Sequence, residues 1–154
     1  MALSNYDLKS TDRIIPTHYV DRARTLPCGA LQMLDGSLMT SITDIYTVKI
    51  PDVSTADTVY VPMVRPGNII RISSAISGTI ATANAVLTAS IGAVAITGGT
   101  ITITASGSAA GDVDTTVPTA ANVVAIGDNV NVATNGASTN AVECVVVIEV
   151  QRSA

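Results

Sequence analysis

The chain has 154 residues, enough for one domain with a sizeable core, and its 8 Lys and Arg against 12 Asp and Glu give a net charge of −4. This acidic balance argues against sequence-independent binding to nucleic acid, which needs a clustered basic surface. Because the chain has no Phe, no Trp and only four Tyr, Val, Ile, Ala and Leu must fill its interior, and the β-branched members of that set favour strands.

Residues 1–44 differ in composition and hydropathy pattern from the rest of the chain. Four of the eight cations fall within the first 24 residues, mixed with three Asp, and Pro16, Pro27 and Gly29 interrupt any helical pattern. The pair Asp35-Gly36 predicts a tight turn. We therefore expect an extended N-terminal arm with short pieces of structure, which is either a charge-balanced solvated segment or a segment that docks on an acidic partner.

From residue 45 onward, apolar and polar side chains alternate with a period of two, which predicts a β-sandwich domain over residues 45–154. One inward-facing row consists of Ile70, Ile72 and Ile76. The pair Gly98-Gly99 predicts a turn, and residues 106–114 predict a loop of small side chains. The predicted strands lie, in chain order, at residues 45–50, 59–63, 70–76, 85–91, 94–96, 100–105, 122–126, 129–134 and 141–151.

A long uncharged stretch indicates surface that other protein must cover. Residues 72–111 contain no charged side chain, and residues 144–148, in the middle of the last predicted strand, are apolar on both of its faces. That strand therefore sits centrally in its sheet, or its outer face meets another subunit. Residues 97–104 belong to flat, uncharged paired strands of the kind that needs covering at a sheet edge. We expect an all-β, jelly-roll-like sandwich with an N-terminal arm that assembles as a homo-oligomer.

The cysteine and histidine content offers little for catalysis or for a zinc site. His18 is the only imidazole and lies in the predicted arm, so any Ser-His-acid arrangement would depend on it. Cys28 and Cys144 are far apart and provide no paired ligand spacing. They are either two reduced cysteines, with Cys144 as a small core residue, or a disulfide.

Two loops that resemble ligand-binding motifs lack essential residues. Residues 107–112 (GSAAGD) lack the Gly-Lys-Ser/Thr ending of a phosphate-binding loop. Asp112, Asp114 and Thr115 could bind Ca²⁺ weakly, but a solvated turn explains them better because the later EF-hand positions do not match. Asp128 reads as a turn residue that accepts local backbone N–H groups. We predict no enzymatic activity, no metal and no cofactor.

No run of apolar residues approaches the roughly 20 that a membrane-spanning helix needs. The residues after Met1 also lack the cationic start and apolar stretch of a signal peptide. We therefore expect synthesis in a cytoplasm and no membrane partner.

Three segments together resemble the small head decoration (cement) proteins of tailed bacteriophages. They are residues 61–72 (VPMVRPGNIIRI), residues 107–112, and residues 126–130 (IGDNV) through Asn135-Gly136. The resemblance implies a jelly-roll-like body and a symmetric oligomer on the outside of the capsid, clamped over junctions between major capsid subunits. It implies no enzymatic activity and leaves dimer and trimer open.

The predicted arm supplies candidate capsid contacts. Arg13, Tyr19, Arg22 and Arg24 lie within it, and Arg and Tyr are favoured at the energetic centres of protein interfaces. A tail, fibre or receptor-binding component of a virion is the alternative, although such fibres usually show longer repeats and more exposed aromatic residues. A bacterial surface or pilus-like module is a third reading, and an enzyme is the last.

Overall fold

The computed structural model describes residues 31–32, 38–39 and 41–152. The chain divides into two units, Met1–Thr40 and Ser41–Ala154. In the first unit, β1 (Leu31–Gln32) pairs antiparallel with β2 (Leu38–Met39). The turn predicted at Asp35-Gly36 lies between these strands, outside the described residues.

The second unit, called the body below, is all-β. Its strands are β3 (Thr43–Ile50), β4 (Asp57–Pro62), β5 (Gly67–Ile76), β6 (Ala85–Ile91), β7 (Val94–Ile103), β8 (Val113–Thr116), β9 (Val123–Val124), β10 (Asn129–Thr134) and β11 (Cys144–Arg152). The residues that the structure describes form no helix that could cross a membrane.

The strands of the body form two antiparallel sheets. The first has five strands, with β3, β11, β5 and β8 in that order and β9 also paired to β5. The second has four strands in the order β4, β10, β6, β7. Along the chain, β3, β4, β5 and β6 alternate between the two sheets, β6 and β7 form a hairpin in the second, and β10 and β11 again lie in different sheets. The overall arrangement is sandwich-like.

The core is aliphatic, as the composition predicts. Alternate residues of both sheets point inward and join one buried cluster, which includes Ile69, Ile72, Leu87, Val132 and Ile148. The alternation is cleanest on β11, where every second residue from Cys144 to Val150 is buried. Burying apolar surface is the main stabilising term in folding, and here branched aliphatic side chains supply it without rings.

The last strand lies centrally, between β3 and β5, which is one of the two alternatives that its apolar faces predicted. Its register pairs Val147 with Thr47 on one side and with Ser73 on the other. Val145 and Val147 point away from the core and are half-buried by the neighbouring strands.

The predicted turn at Gly98-Gly99 is wrong, because β7 runs unbroken through both glycines. Gly98 takes a φ of 75°, and the pairing of β6 with β7 shifts register between Thr88 and Ser90. The strand accommodates this irregular pairing locally and continues in the same direction, so the chain does not turn back at the glycines. The loop predicted at residues 106–114 was also too long, because β8 begins at Val113.

One residue of the predicted inward row is misplaced. Ile72 and Ile76 are buried, but Ile70 is only half-buried and Ile69 occupies the core in its place. The register of β5 against β11 shifts between Glu149 and Val150. Such a β-bulge adds one residue to one strand and reverses the inside–outside phase beyond it.

Candidate interaction surfaces

The described residues supply loops and sheet faces, but no cluster of chemically reactive side chains. No group of three or more His, Cys, Asp or Glu side chains converges there in a way that could hold a metal ion. Cys144 carries a free thiol, and burial raises the pKa of that thiol to about 11, so it stays protonated and packs as a small core residue. The predicted contacts Arg13, Tyr19, Arg22 and Arg24, and also His18 and Cys28, lie outside the described residues.

A shallow groove of about 170 Å³ follows the loop between β7 and β8 and is lined by small polar side chains. Asp112, one of its carboxylates, accepts a hydrogen bond from the Ala109 amide at 2.7 Å. Asp112 therefore lies in a turn as predicted, and its carboxylate is engaged within its own loop. The same interpretation is wrong for Asp114 and Thr115, which pair with β5 as part of strand β8.

The two ends of the body differ in the side chains that their loops expose. One end, called the apolar end, consists of residues 63–66, 92–94 and 123–128, together with the start of β3 and the end of β11. Four of its side chains are between 61% and 72% exposed, namely Val64, Val94, Val123 and Ile126. Contiguous exposed apolar surface marks an interaction site more often than single exposed residues do.

The opposite end, called the polar end, consists of the loops at residues 51–56, 77–84, 104–112 and 135–143. Within residues 41–152, no large hydrophobic side chain in these four loops is exposed, and the one exposed beside them is Val113, the first residue of β8, at 65%. They carry Thr, Ser, Asn, Ala and Gly together with Asp52, Asp112 and Glu143. Hydrogen bonds from Ser54 and Thr55 hold the pKa of Asp52 below its usual value. The polar end is acidic and well suited to contact with water.

Backbone hydrogen bonds tie the loops of the apolar end together. The Met63 amide donates to the carbonyl oxygen of Asp128 at 2.8 Å, and the Gly127 amide donates back to that of Met63 at 2.8 Å. The Gly92 amide donates to the Asn129 carbonyl oxygen at 2.9 Å. These bonds hold three segments that are distant in sequence side by side at the apolar end.

Ile126 stands on a four-residue turn that the chain uses twice. In residues 125–128 (AIGD), the Ala125 amide donates to Oδ2 of Asp128 at 2.8 Å, and Gly127 has a φ of 90°. Residues 109–112 (AAGD) repeat these features, since the Ala109 amide donates to Oδ2 of Asp112 at 2.7 Å and Gly111 has a φ of 92°. Only glycine adopts such a φ without strain. The predicted turn role of Asp128 is confirmed, and the apolar-end copy displays isoleucine where the polar-end copy has alanine.

Basic groups lie beside the apolar surface. Arg152 donates to Oδ2 of Asp44 through Nε at 2.7 Å, joining the end of β11 to β3. This hydrogen bond holds the pKa of the Asp44 carboxyl below its usual value. Arg65 lies close enough to lower that pKa further, yet forms no ion pair with another residue of the range 41–152. The apolar end thus carries one cation available to an anionic partner.

Sequence reasoning missed the apolar end, since its three segments are distant from one another along the chain and only the sheet topology brings them together. Comparisons of the chain find no matching protein-family model, no similar curated protein and no similar solved structure. The function is therefore inferred from the geometry of these surfaces.

Proposed function

We propose that this chain is a structural virion protein of a tailed bacteriophage that binds the outside of the capsid as a symmetric oligomer. It clamps neighbouring major capsid subunits and stabilises the expanded head. Synthesis takes place in the host cytoplasm, and the protein's final location is the virion surface. No catalytic role, cofactor or nucleic-acid contact is part of the proposal.

The main support is the asymmetry between the two ends of the body. A protein that decorates a shell needs one surface for the shell and another for water, and the apolar and polar ends meet these two needs. The N-terminal segment joins the body at Ser41, directly before the first strand of the apolar end. The proposed capsid contacts Arg13, Tyr19, Arg22 and Arg24 are therefore connected to the body at the end that we assign to the capsid.

We further propose that the body is a jelly roll. Leaving out the short β9, the first, eighth, third and sixth strands of the body make one sheet, and the second, seventh, fourth and fifth make the other. This interleaving supports the proposal, because two intertwined Greek keys of eight strands produce it.

Stabilisation of the head follows from mass action. A clamp that binds the expanded shell more tightly than its precursor shifts the equilibrium toward the expanded state. Many symmetry-related copies add avidity, so each contact needs only modest affinity.

The test uses heads purified from a phage that lacks the gene for this chain. We expect the full-length wild-type protein to bind these heads at regular lattice positions in cryo-electron microscopy. Ile126→Ala should weaken binding at least about tenfold, since burying each methylene contributes about 0.8 kcal/mol. Ala110→Ser, in the same turn at the polar end, is the matched control and should bind as wild type.

Two results would refute this assignment. One is wild-type protein that fails to bind expanded heads, and the other is equal loss of binding from both substitutions. Purified tails form a parallel arm of the experiment. Regular binding to tails but not to heads would support the tail or fibre alternative.

A further inference from the structure

The outer face of the five-stranded sheet combines aliphatic and hydroxyl side chains in its middle, with charged side chains at its borders. Strand pairing places four side chains in one row, namely Thr47, Val147, Ser73 and Thr115. The next row contains Lys49, Val145, Ala75 and Val113. These rows and the flanking Ile45 are called the five-stranded face below.

Its apolar side chains reach from one edge strand to the other. Ile45 on β3 is 68% exposed and Val113 on β8 is 65% exposed. Between them, Val145 and Val147 are half-buried in the plane of the sheet. The corresponding rows of the four-stranded sheet present hydroxyl and amide groups, such as Thr88, Thr100 and Asn131, and one exposed aromatic side chain, Tyr60.

The charged groups around the five-stranded face are paired within the chain. Arg71 donates to both carboxylate oxygens of Glu149, at 2.7 and 2.9 Å. Lys49 lies 2.6 Å from Glu143. A partner of strongly acidic or basic character would therefore find no unmatched charge here.

This pairing favours one occupant, a second copy of the chain. In a two-fold symmetric interface the same patch meets itself, so unpaired charges risk like-charge repulsion whereas internally neutralised ones do not. We infer that the five-stranded faces of two copies associate around a two-fold axis near Val147. The inference specifies the self-contact within the proposed symmetric oligomer, but its test needs no capsid.

The dimensions of the face indicate weak association. Four strands about 4.8 Å apart span about 19 Å, and five residues at about 3.4 Å span about 17 Å, which gives a footprint of a few hundred Å². Stable complexes bury about 800 Å² per partner. We therefore expect dimers only at micromolar concentrations or above, which is the regime where a lattice that concentrates the copies would make the contact effective.

Sedimentation equilibrium of the full chain between about 5 and 500 µM tests the inference. Wild type should shift from monomer toward dimer over this range. The double variant I45E/V113E changes two exposed edge positions and should stay monomeric over this range. Its dissociation constant for the dimer should be at least tenfold higher than that of wild type. Thr88→Glu, on the outer face of the other sheet, is the matched control and should dimerise as wild type.

Val147→Glu tests the centre of the face, with the isosteric Val147→Thr as its fold control, and thermal unfolding of every variant confirms folding. A wild type that stays monomeric at 500 µM overturns the inference, in which case the N-terminal segment or solvent covers the face. Self-association that all face variants retain, or a trimeric mass, also overturns it. Head binding by Ile126 variants is measured separately, so failure of the dimer and failure of the capsid assignment are distinguishable.

Discussion

At the scale of single residues, backbone conformation shows where the chain accepts strain. Ala121 has a φ of 52° in an exposed loop, a left-handed conformation that costs a residue with a Cβ atom about 1–2 kcal/mol. Its neighbour Ala120 forms an isolated β-bridge with Thr97 and is not among the residues with positive φ. The two adjacent alanines thus differ in the sign of φ.

Ala121→Gly should raise the free energy of unfolding by up to about 1 kcal/mol, since relief of strain exceeds the added entropy of the unfolded chain. Ala120→Gly should lower it by about 0.5–1 kcal/mol, because only the entropic term remains. Urea unfolding of both variants measures the difference. If both substitutions lower the free energy of unfolding, strain at Ala121 is negligible.

At the scale of strands, the bulge between β5 and β11 decides which isoleucines form the core. It turns Ile72 inward, where it is 1% exposed, and leaves Ile70 at the half-buried extra position. An alternation with a period of two places both isoleucines on the same face of the strand. The register of β5 against β11 separates them, and the periodicity of a single sequence carries no information about that register.

Ile72→Ala should destabilise the body by about 2–5 kcal/mol, because it leaves a cavity that the packed sheets cannot fill. Ile70→Ala should cost less than about 1.5 kcal/mol, since its side chain is only partly removed from water. Chemical denaturation distinguishes the two. Similar losses at both positions would contradict the assigned bulge.

The ion pair between β5 and β11 predicts acid sensitivity. The hydrogen bond from Arg71 holds the pKa of Glu149 below its usual value of 4.5. A lowered folded-state pKa gives stability that is fully present above the unfolded-state value and is lost as the pH falls through the folded-state pKa.

In thermal unfolding between pH 3 and 7, Glu149→Gln should therefore be less stable than wild type at pH 6–7. The difference should shrink below about pH 4.5, as the wild-type carboxylate becomes protonated. Thr115→Ser on the same face carries no titrating group and serves as the control. A difference between wild type and Glu149→Gln that is constant with pH would contradict a contribution from the ion pair.

The sequence predicted much of the strand framework. Periodicity placed β6 and β10 at their observed bounds, and the central position of β11 is one of the two alternatives that its apolar faces predicted. The glycine pair inside β7 and the bulge at Ile70 were misread because both depend on pairing with another strand. The exposed residues Val64, Val94 and Ile126 could not be grouped from sequence, since neighbouring loops in space belong to strands that are distant along the chain.

At the scale of the whole body, the two ends differ in the polarity and charge of their exposed side chains. The apolar end carries exposed aliphatic side chains and Arg65, whereas the polar end carries Asp52, Asp112 and Glu143. A body of this kind should bind a surface in one orientation, because the opposite orientation would desolvate the Asp52 and Asp112 carboxylates, which form no ion pair within residues 41–152. The N-terminal segment is covalently joined to the body at the end that we propose faces the capsid.

Deletion of residues 1–25 should abolish binding to expanded heads, because it removes Arg13, Tyr19, Arg22 and Arg24 together. The body should remain folded, with the same midpoint of thermal unfolding within a few degrees, since its core lies entirely within residues 50–150. Head-binding assays and calorimetry check the two expectations. Truncated protein that decorates heads at wild-type occupancy would rule out the N-terminal segment as an anchor.

The repeated Ala-x-Gly-Asp turn also makes the protein a natural carrier for grafted peptides. Its geometry depends on the glycine and on the aspartate that closes the loop, and the second position already holds alanine in one copy and isoleucine in the other. If the polar end faces water as we propose, a foreign epitope inserted beside Ala110 would project from that end, and the other copy of the turn would remain free to contact the capsid. Many identical copies on one shell would then present the epitope as an ordered array.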